Sequence, residues 1–439
     1  MVAVLTMLGS AALASPHHAK RAPVIPVPQF AFHPLPATFP DADLAGEPSV
    51  GVDWRTGAVL YQAGFGTYKL LGGAWSDVTS LYTAFNIDPI LATDSTSGVT
   101  LAGGDDGSCS VLAETSDDGQ SWRPSLPCTG TPDHPTVGIG PAVGSSRQDN
   151  KRMAYYCQQY PVVEECNASS DDGQTWLPAV PVTGCAGLFG HVKISADGTA
   201  YLPVRLCSDA QGDTRTGGAV SSDNGLTWDG YVIPDAALPS HGFDPSIATT
   251  PDNTVYETWS RDSDFRPLIA WSHDHGQTWS HAVDISAGSR YPIYAATFQA
   301  AIAGDVGRVA VAYLAADRPA VGGITPFDPG YVGAWYLYVS STYDAGAHWT
   351  TARVQDSPVQ LGPICDNGTT CLSGRNLLDF MDASVTADGR IVIGYANGCH
   401  PDGCPADPAQ VAQSVNAWGV VAVQSTGLSL FSRYGRLAG

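Results

Sequence analysis

Five segments of this chain repeat one pattern: Thr115-SDDGQS-Trp122, Ser169-SDDGQT-Trp176, Ser221-SDNGLT-Trp228, Ser272-HDHGQT-Trp279 and Thr342-YDAGAH-Trp349. All read [S/T]-x-D-x-G-x-x-W, and their tryptophans fall 54, 52, 51 and 70 residues apart. A fixed period of this size is the signature of stacked supersecondary units. The chemistry of the motif is that of a turn. The Asp carboxylate (Asp117, Asp171, Asp223, Asp274, Asp344) can accept backbone N–H bonds across a tight reversal. The Gly supplies positive φ, and the Trp is large enough to wedge between sheets. A turn role explains every position, so these Asp residues are read as structural rather than catalytic.

A second repeat precedes each of these turns: an apolar strand, a turn and another strand. Its copies start at Glu47, Asp88, His134, His191, Asp244, Phe298 and Asp382, seven in all. Each copy gives strands A and B of a four-stranded unit, and the following segment gives C and D. In units two to six the repeat turn is the C–D connection. Unit one ends near Trp75 without it, and unit seven ends in a degenerate version, Ser425-TGLSLF. The strand around residues 27–35 is expected to complete the ring. The expected fold is all-β, a single β-propeller of seven four-stranded blades, with six as the next count. Composition agrees: Gly 48, Pro 32 and only 14% charged residues describe short strands and turns. No stretch keeps a helical period over three turns.

Residues 2–14 form an apolar run ending in Ala12-Leu13-Ala14, which reads as an export signal over 1–14, although no basic n-region precedes it. Residues 15–40 form an extended Pro-rich lead-in, and 41–439 the propeller. The run is too short to span a membrane, and no later stretch has about 18 or more consecutive apolar residues. The ten cysteines fall in local pairs: Cys109/Cys128, Cys157/Cys166, Cys185/Cys207, Cys365/Cys371 and Cys399/Cys404. Five local disulfides and a secreted, extracellular protein are expected. Zinc ligation is the rival, but no CxxC spacing supports it. The net charge of −21 excludes a nucleic-acid partner and an anionic membrane surface, because no basic stripe exists. A monomer is expected.

The chain resembles the Asp-box repeat proteins of the sialidase superfamily over residues 45–431. More closely, it resembles secreted bacterial propellers commonly labelled exo-α-sialidase, through Gly46-EPSVG, Asp133-HPTVG, Gly190-HVKISADG and Arg375-NLLDFMD. The resemblance implies a glycoside hydrolase acting on terminal sugars of a carbohydrate or glycoconjugate partner. Asp boxes mark the fold rather than an activity.

Blade topology locates the candidate site. The start of strand A, the B–C loop and the D–A link share one face; the A–B turn and the repeat turn share the other. The first face carries the long loops, 315–334, 350–378 and 397–417. The A-strand starts Glu47, Asp88, His134, His191, Asp244 and Asp382 should converge at the channel mouth, with Asp133 and Asp379 nearby. These six are the candidate catalytic residues, because clustered carboxylates push one pKa upward and so provide an acid beside a base. No cofactor is required, but the same cluster could hold a divalent cation such as Ca²⁺. The sialidase family implies three arginines for the substrate carboxylate; Arg205, Arg261 and Arg375 are the candidates on this face. The family's Arg-Ile-Pro motif is absent, and Tyr336 and Tyr338 are read as blade core rather than nucleophiles. Two other readings stay open. One is a non-catalytic propeller that binds glycans or proteins. The other is a polysaccharide lyase using His134 or His191 as base.

Overall fold

Strands buried on both faces must be apolar throughout, whereas outer strands need not be. The chain obeys this from the axis outward. Strand B of the sixth unit, Val309–Ala316 (VAVAYLAA), is buried at every position, while the outer strand of the second unit, Arg123–Ser125, is mostly exposed. The computed structural model describes residues 25–84, 86–126, 133–145, 151–160, 163–237, 244–399, 403–404 and 414–438. The segment read as an export signal lies outside them.

Seven antiparallel sheets form, each with a path of four strands and three with one additional short strand. They are the seven blades that the A-strand repeat predicts. Strands A include Ser49–Val52, Ile90–Thr93, Asp133–Pro141, Lys193–Ile194, Ser246–Thr249, Ala295–Ala303 and Asp382–Val385. All seven line a cavity of about 260 Å³ on the axis. Blades two to six place the repeat turn between strands C and D. Among the described residues the only helical segments are two short 3-10 turns, Gly368–Thr370 and Ser432–Tyr434. No helix among them is long and apolar enough to cross a membrane.

Blade 7 is built from both ends of the chain. Its strands A to C are Asp382–Val385, Ile391–Asn397 and Trp418–Leu428, and its outer strand is Gln29–Pro34, paired antiparallel to Trp418–Leu428. The expected degenerate C–D turn at Ser425-TGLSLF is therefore not a turn between strands C and D. Its first part is the end of strand C, and it runs on toward a short pairing with Arg436–Leu437. The reason is topological: the D strand comes from the other end of the chain, so the reversal there leads only to the two-residue strand Arg436–Leu437.

The five repeat turns share one hydrogen-bond scheme. In the blade 3 turn, Ser169 Oγ donates to Asp171 Oδ1 at 2.8 Å and accepts the Gly173 N–H at 2.9 Å. Thr175 donates its N–H and hydroxyl to the two oxygens of Asp171 at 2.8 and 2.6 Å. Gly173 sits at φ +80°. Against slight burial, these donors hold the Asp171 carboxyl below its ordinary range, and Asp117, Asp223, Asp274 and Asp344 shift the same way. The tryptophans reach the preceding blade: Trp122 Nε1 donates to Val78 O at 2.7 Å, Trp176 Nε1 to Ser125 Oγ at 3.1 Å, and Trp228 packs edge-on against Tyr155. Replacing Asp171 or Asp223 by Ala should thus cost about 1–3 kcal/mol of stability and leave the opposite face intact. Urea unfolding of the variants, set beside a ligand or activity assay per folded molecule, checks this; loss of function at unchanged stability would refute it.

Four disulfides pair as neighbours: Cys157–Cys166, Cys185–Cys207, Cys365–Cys371 and Cys399–Cys404, with Cα separations of 4.1, 4.0, 6.0 and 4.9 Å. Cys109 is also disulfide-bonded, and Cys128 lies outside the described residues. The first two link paired positions of adjacent strands within one blade. Thiol titration of the unfolded, non-reduced protein is expected to find no free thiol; two or more would contradict the pairing.

Candidate functional site

The channel mouth opposite the repeat turns is shaped by a backbone device. Glu47, His134 and Phe298 adopt φ of +54°, +51° and +56°. At His134 and Phe298 the A-to-B register slips, between Asp133 and Thr136 and between Thr297 and Ala300. Such a bulge re-aims a side chain, and a left-handed non-glycine residue costs on the order of 1 kcal/mol.

The structure brings the six sequence-predicted residues to the channel mouth in three hydrogen-bonded groups. His134 Nε2 lies 3.0 Å from Asp244 Oδ2 and 3.0 Å from Phe189 O, and the His134 N–H donates to Asp88 Oδ2 at 3.3 Å. His191 Nδ1 lies 3.3 Å and Lys193 Nζ 3.7 Å from Asp382 Oδ1. Asp382 also accepts the N–H of Val50 at 3.1 Å and its neighbour Ala383 at 2.8 Å. Glu47 Oε1 accepts the Asp379 N–H at 3.1 Å, and the Asp379 carboxylate is clamped by the Arg375 fork. Phe380 stands edge-on to both imidazoles. Phe298, the seventh A-strand start, is buried in the apolar core.

Electrostatics sort these groups into acids and ions. Burial raises Glu47 well above its ordinary value, and the charges of Asp379 and Asp88 raise it further. Burial opposes the charge on Asp379 too, but Arg375 outweighs it and holds that carboxyl low. Burial lifts Asp88, with partial relief from His134. It lifts Asp105 more, up to about 7, with Asp88 adding to the effect. For His134, burial disfavours the cation, yet Asp244, and after it Asp379, prevail and push it up to about 10. Burial also raises Asp244, which His134 partly offsets. Asp382 is the reverse case: Lys193 and His191 overcome its burial and hold it far below the carboxylate range.

The charge balance is therefore internal. Arg375, Lys193 and protonated His134 supply the cations, and burial pushes Glu47 and Asp105 toward their neutral forms. Among the described residues no group of three or more His, Cys, Asp or Glu side chains is arranged to hold a metal ion. Among the buried polar atoms without a partner in the described residues are His191 Nε2, Asp244 Oδ1 and Arg205 Nε. Orphans of this kind are expected to be met by water or ligand.

The three candidate arginines do not share one focus. Arg375 faces Asp379, Glu47 and Asp88. Arg205 lies in the field of Asp244, Asp366 and Asp262. Arg261 is turned away, forked onto Asp264 at 2.6 Å through each of two nitrogens. That pairing is local, three residues along the chain. Asp133 is exposed and acts only through its charge on Asp88 and Asp105. Tyr338 is buried and Tyr336 partly so.

Sequence reasoning missed Asp105, Lys193 and Phe380. Asp105 ends strand B of blade 2, which pairs antiparallel with strand A, so it lies level with Asp88. Lys193 follows His191 by two residues and shares its side of the strand. Both signals were available once the strands were paired.

No protein-family model matches the chain, and no curated protein matches it. Solved structures do show likenesses. One is a protein of unknown function from Dyadobacter fermentans, at 14% identity, covering 88% of this chain and 95% of that one with a TM-score of 0.45. Another is the Hadza microbial sialidase Hz136, at 14% identity, 84% and 73% coverage and a TM-score of 0.44. A third is the intramolecular trans-sialidase from Ruminococcus gnavus, at 13% identity, 86% and 95% coverage and a TM-score of 0.41. Likenesses at this level leave the chemistry of the site to its own residues.

Proposed function

We propose that the chain is a secreted carbohydrate-active propeller, a sialidase-like exo-glycoside hydrolase acting on terminal sugars of glycoconjugates. The observation that carries this reading is the opposed pair Glu47 and Asp379. Burial and neighbouring charges raise one carboxyl well above its ordinary value, and Arg375 holds its neighbour low, at the same channel mouth. Two acids driven apart in pKa are what acid/base cleavage of a glycosidic bond requires. Glu47 would protonate the leaving oxygen as the glycosidic bond breaks, and the Asp379 carboxylate would take a proton from the water that bonds to the anomeric carbon. Arg375 and Arg205 would favour an acidic sugar, and the orphaned atoms of His191, Asp244 and Arg205 would meet its hydroxyls.

The charge state of His134 disfavours the lyase reading for that residue, since an imidazolium cannot accept a proton. A non-catalytic glycan-binding role is the second reading. It is favoured by the ion pairs that close on Asp244, Asp379 and Asp382 within the protein. Release of 4-methylumbelliferone from a panel of sugar conjugates, scored against the Glu47→Gln variant, separates the two. Turnover of one conjugate that Glu47→Gln lacks supports the hydrolase. Binding without turnover of any conjugate leaves the binding module.

A further inference from the structure

The rim between blades 6 and 7 holds a second cavity, of about 810 Å³, whose lining includes none of the Glu47 cluster. Its apolar wall comes from the outer strand of blade 7, with Pro28, Phe30 and the exposed Phe32. Its polar wall comes from the end of blade 6 and the link before it, with Arg353 and Arg290. Arg353 is fixed on three sides. Its guanidinium carbon lies 3.7 Å above the ring of Tyr336 and 3.9 Å above that of Tyr291. Its Nε and Nη2 donate to the Tyr338 hydroxyl at 3.2 and 2.9 Å. Arg290 is exposed, lies 4.8 Å from the Tyr291 ring, and donates only to the Tyr291 hydroxyl at 2.9 Å. Neither arginine makes an ion pair among the described residues, in a chain with twice as many acids as bases. The one carboxylate lining the cavity, Asp356, is exposed.

We infer that this groove binds the oxyanion of an acidic sugar, a carboxylate or a sulfate ester, separately from any catalysis at the channel mouth. A stacked guanidinium is pre-organised, so little rotamer freedom is lost when it binds an oxyanion. Two such cations without acidic partners favour an anion and reject a cation. The volume suits a di- or trisaccharide better than a bare ion. Phe32 gives the sugar ring an apolar face, and Gln355, Ser357 and Asn397 give its hydroxyls partners.

Calorimetric titration of the full chain tests this with digalacturonate as the carboxylate source, a κ-carrageenan disaccharide as the sulfate source, and lactose as the neutral control. At least one acidic sugar is expected to bind, with affinity that falls as salt rises, and lactose is not. The acidic sugar that binds identifies the oxyanion. Glu47→Gln should bind as wild type does, which keeps this site distinct from the proposed active site. Arg353→Gln and Arg290→Gln should each weaken binding roughly 10-fold or more. Arg290 is exposed, so its variant folds whether or not Arg353→Gln does. Binding of neither acidic sugar, equal binding of lactose, or an unchanged affinity in Arg290→Gln would overturn the assignment.

Discussion

Replacing Glu47 by Gln is expected to lower kcat by roughly 10²–10⁴-fold, the usual worth of a general acid, on whichever conjugate the wild-type protein cleaves. Stability at neutral pH should be unchanged or higher. The two outcomes share one cause. Folding pushes this carboxyl toward its neutral form, by burial and by the nearby charges of Asp379 and Asp88. The unfolded chain would ionise it, so the native state carries a cost at neutral pH that the amide removes. Gln also keeps an oxygen to accept the Asp379 N–H. Asp244→Asn should behave differently: it leaves His134 without its ion partner, and breaking a buried pair costs about 3–5 kcal/mol. Kinetics and urea melts of both variants decide the matter. Full turnover in Glu47→Gln would sink the acid assignment, and a destabilised Glu47→Gln would show that burial does not keep the carboxyl neutral.

Stability should peak in mild acid, between about pH 4 and 6, and decline on both sides. The alkaline limb comes from groups whose folded pKa is raised. For His134, the contribution is fully present below the ordinary histidine value and is lost as pH rises toward about 10. Asp105, pushed up to about 7, and Glu47 act in the same sense from lower pH, losing stability as the unfolded chain ionises while the fold resists it. The acid limb comes from groups whose folded pKa is lowered. Asp382 and the repeat-turn carboxylates such as Asp171 stabilise the fold above the ordinary Asp value and lose that contribution as pH falls through their folded pKa. The His134 pair alone should remove roughly 3–5 kcal/mol between pH 6 and 10. Chemical unfolding across pH 3 to 10 measures both limbs, with Asp244→Asn expected to flatten the alkaline one. An alkaline limb unaltered by that substitution would contradict the His134 assignment.

The architecture was legible because each repeat turn is locally complete. Ser169, Asp171, Gly173 and Thr175 satisfy one another within seven residues, so sequence alone reveals the turn and its spacing counts the blades. The A-strand starts were legible for a related reason: seven equivalent positions on a ring must face one axis. What stayed hidden depends on pairing and depth. Asp105 joins Asp88 only through the register of two strands. The choice of Glu47 as the acid, rather than Asp244 or Asp382, follows from burial and from where Arg375 and Lys193 point. Arg261 was misleading because its competing carboxylate, Asp264, is close in sequence and reaches it first. The end of blade 7 was read by analogy with the other blades, and the analogy failed where a strand arrived from the far end of the chain.

That closure sets how the ring responds to mechanical load. Gln29 lies opposite Thr426 and Pro34 opposite Val420, so the chain enters and leaves the seam at the same end, on the repeat-turn face. Tension applied to the two termini therefore meets the ladder one rung at a time, as in peeling, rather than all rungs together, as in shear. The first part to yield would be the outer strand of blade 7, together with its share of the groove wall formed by Pro28, Phe30 and Phe32. Blade 6 would share that force, because Asp305 accepts from Ser432 and Arg308 donates to the Ser429 carbonyl of the C-terminal segment.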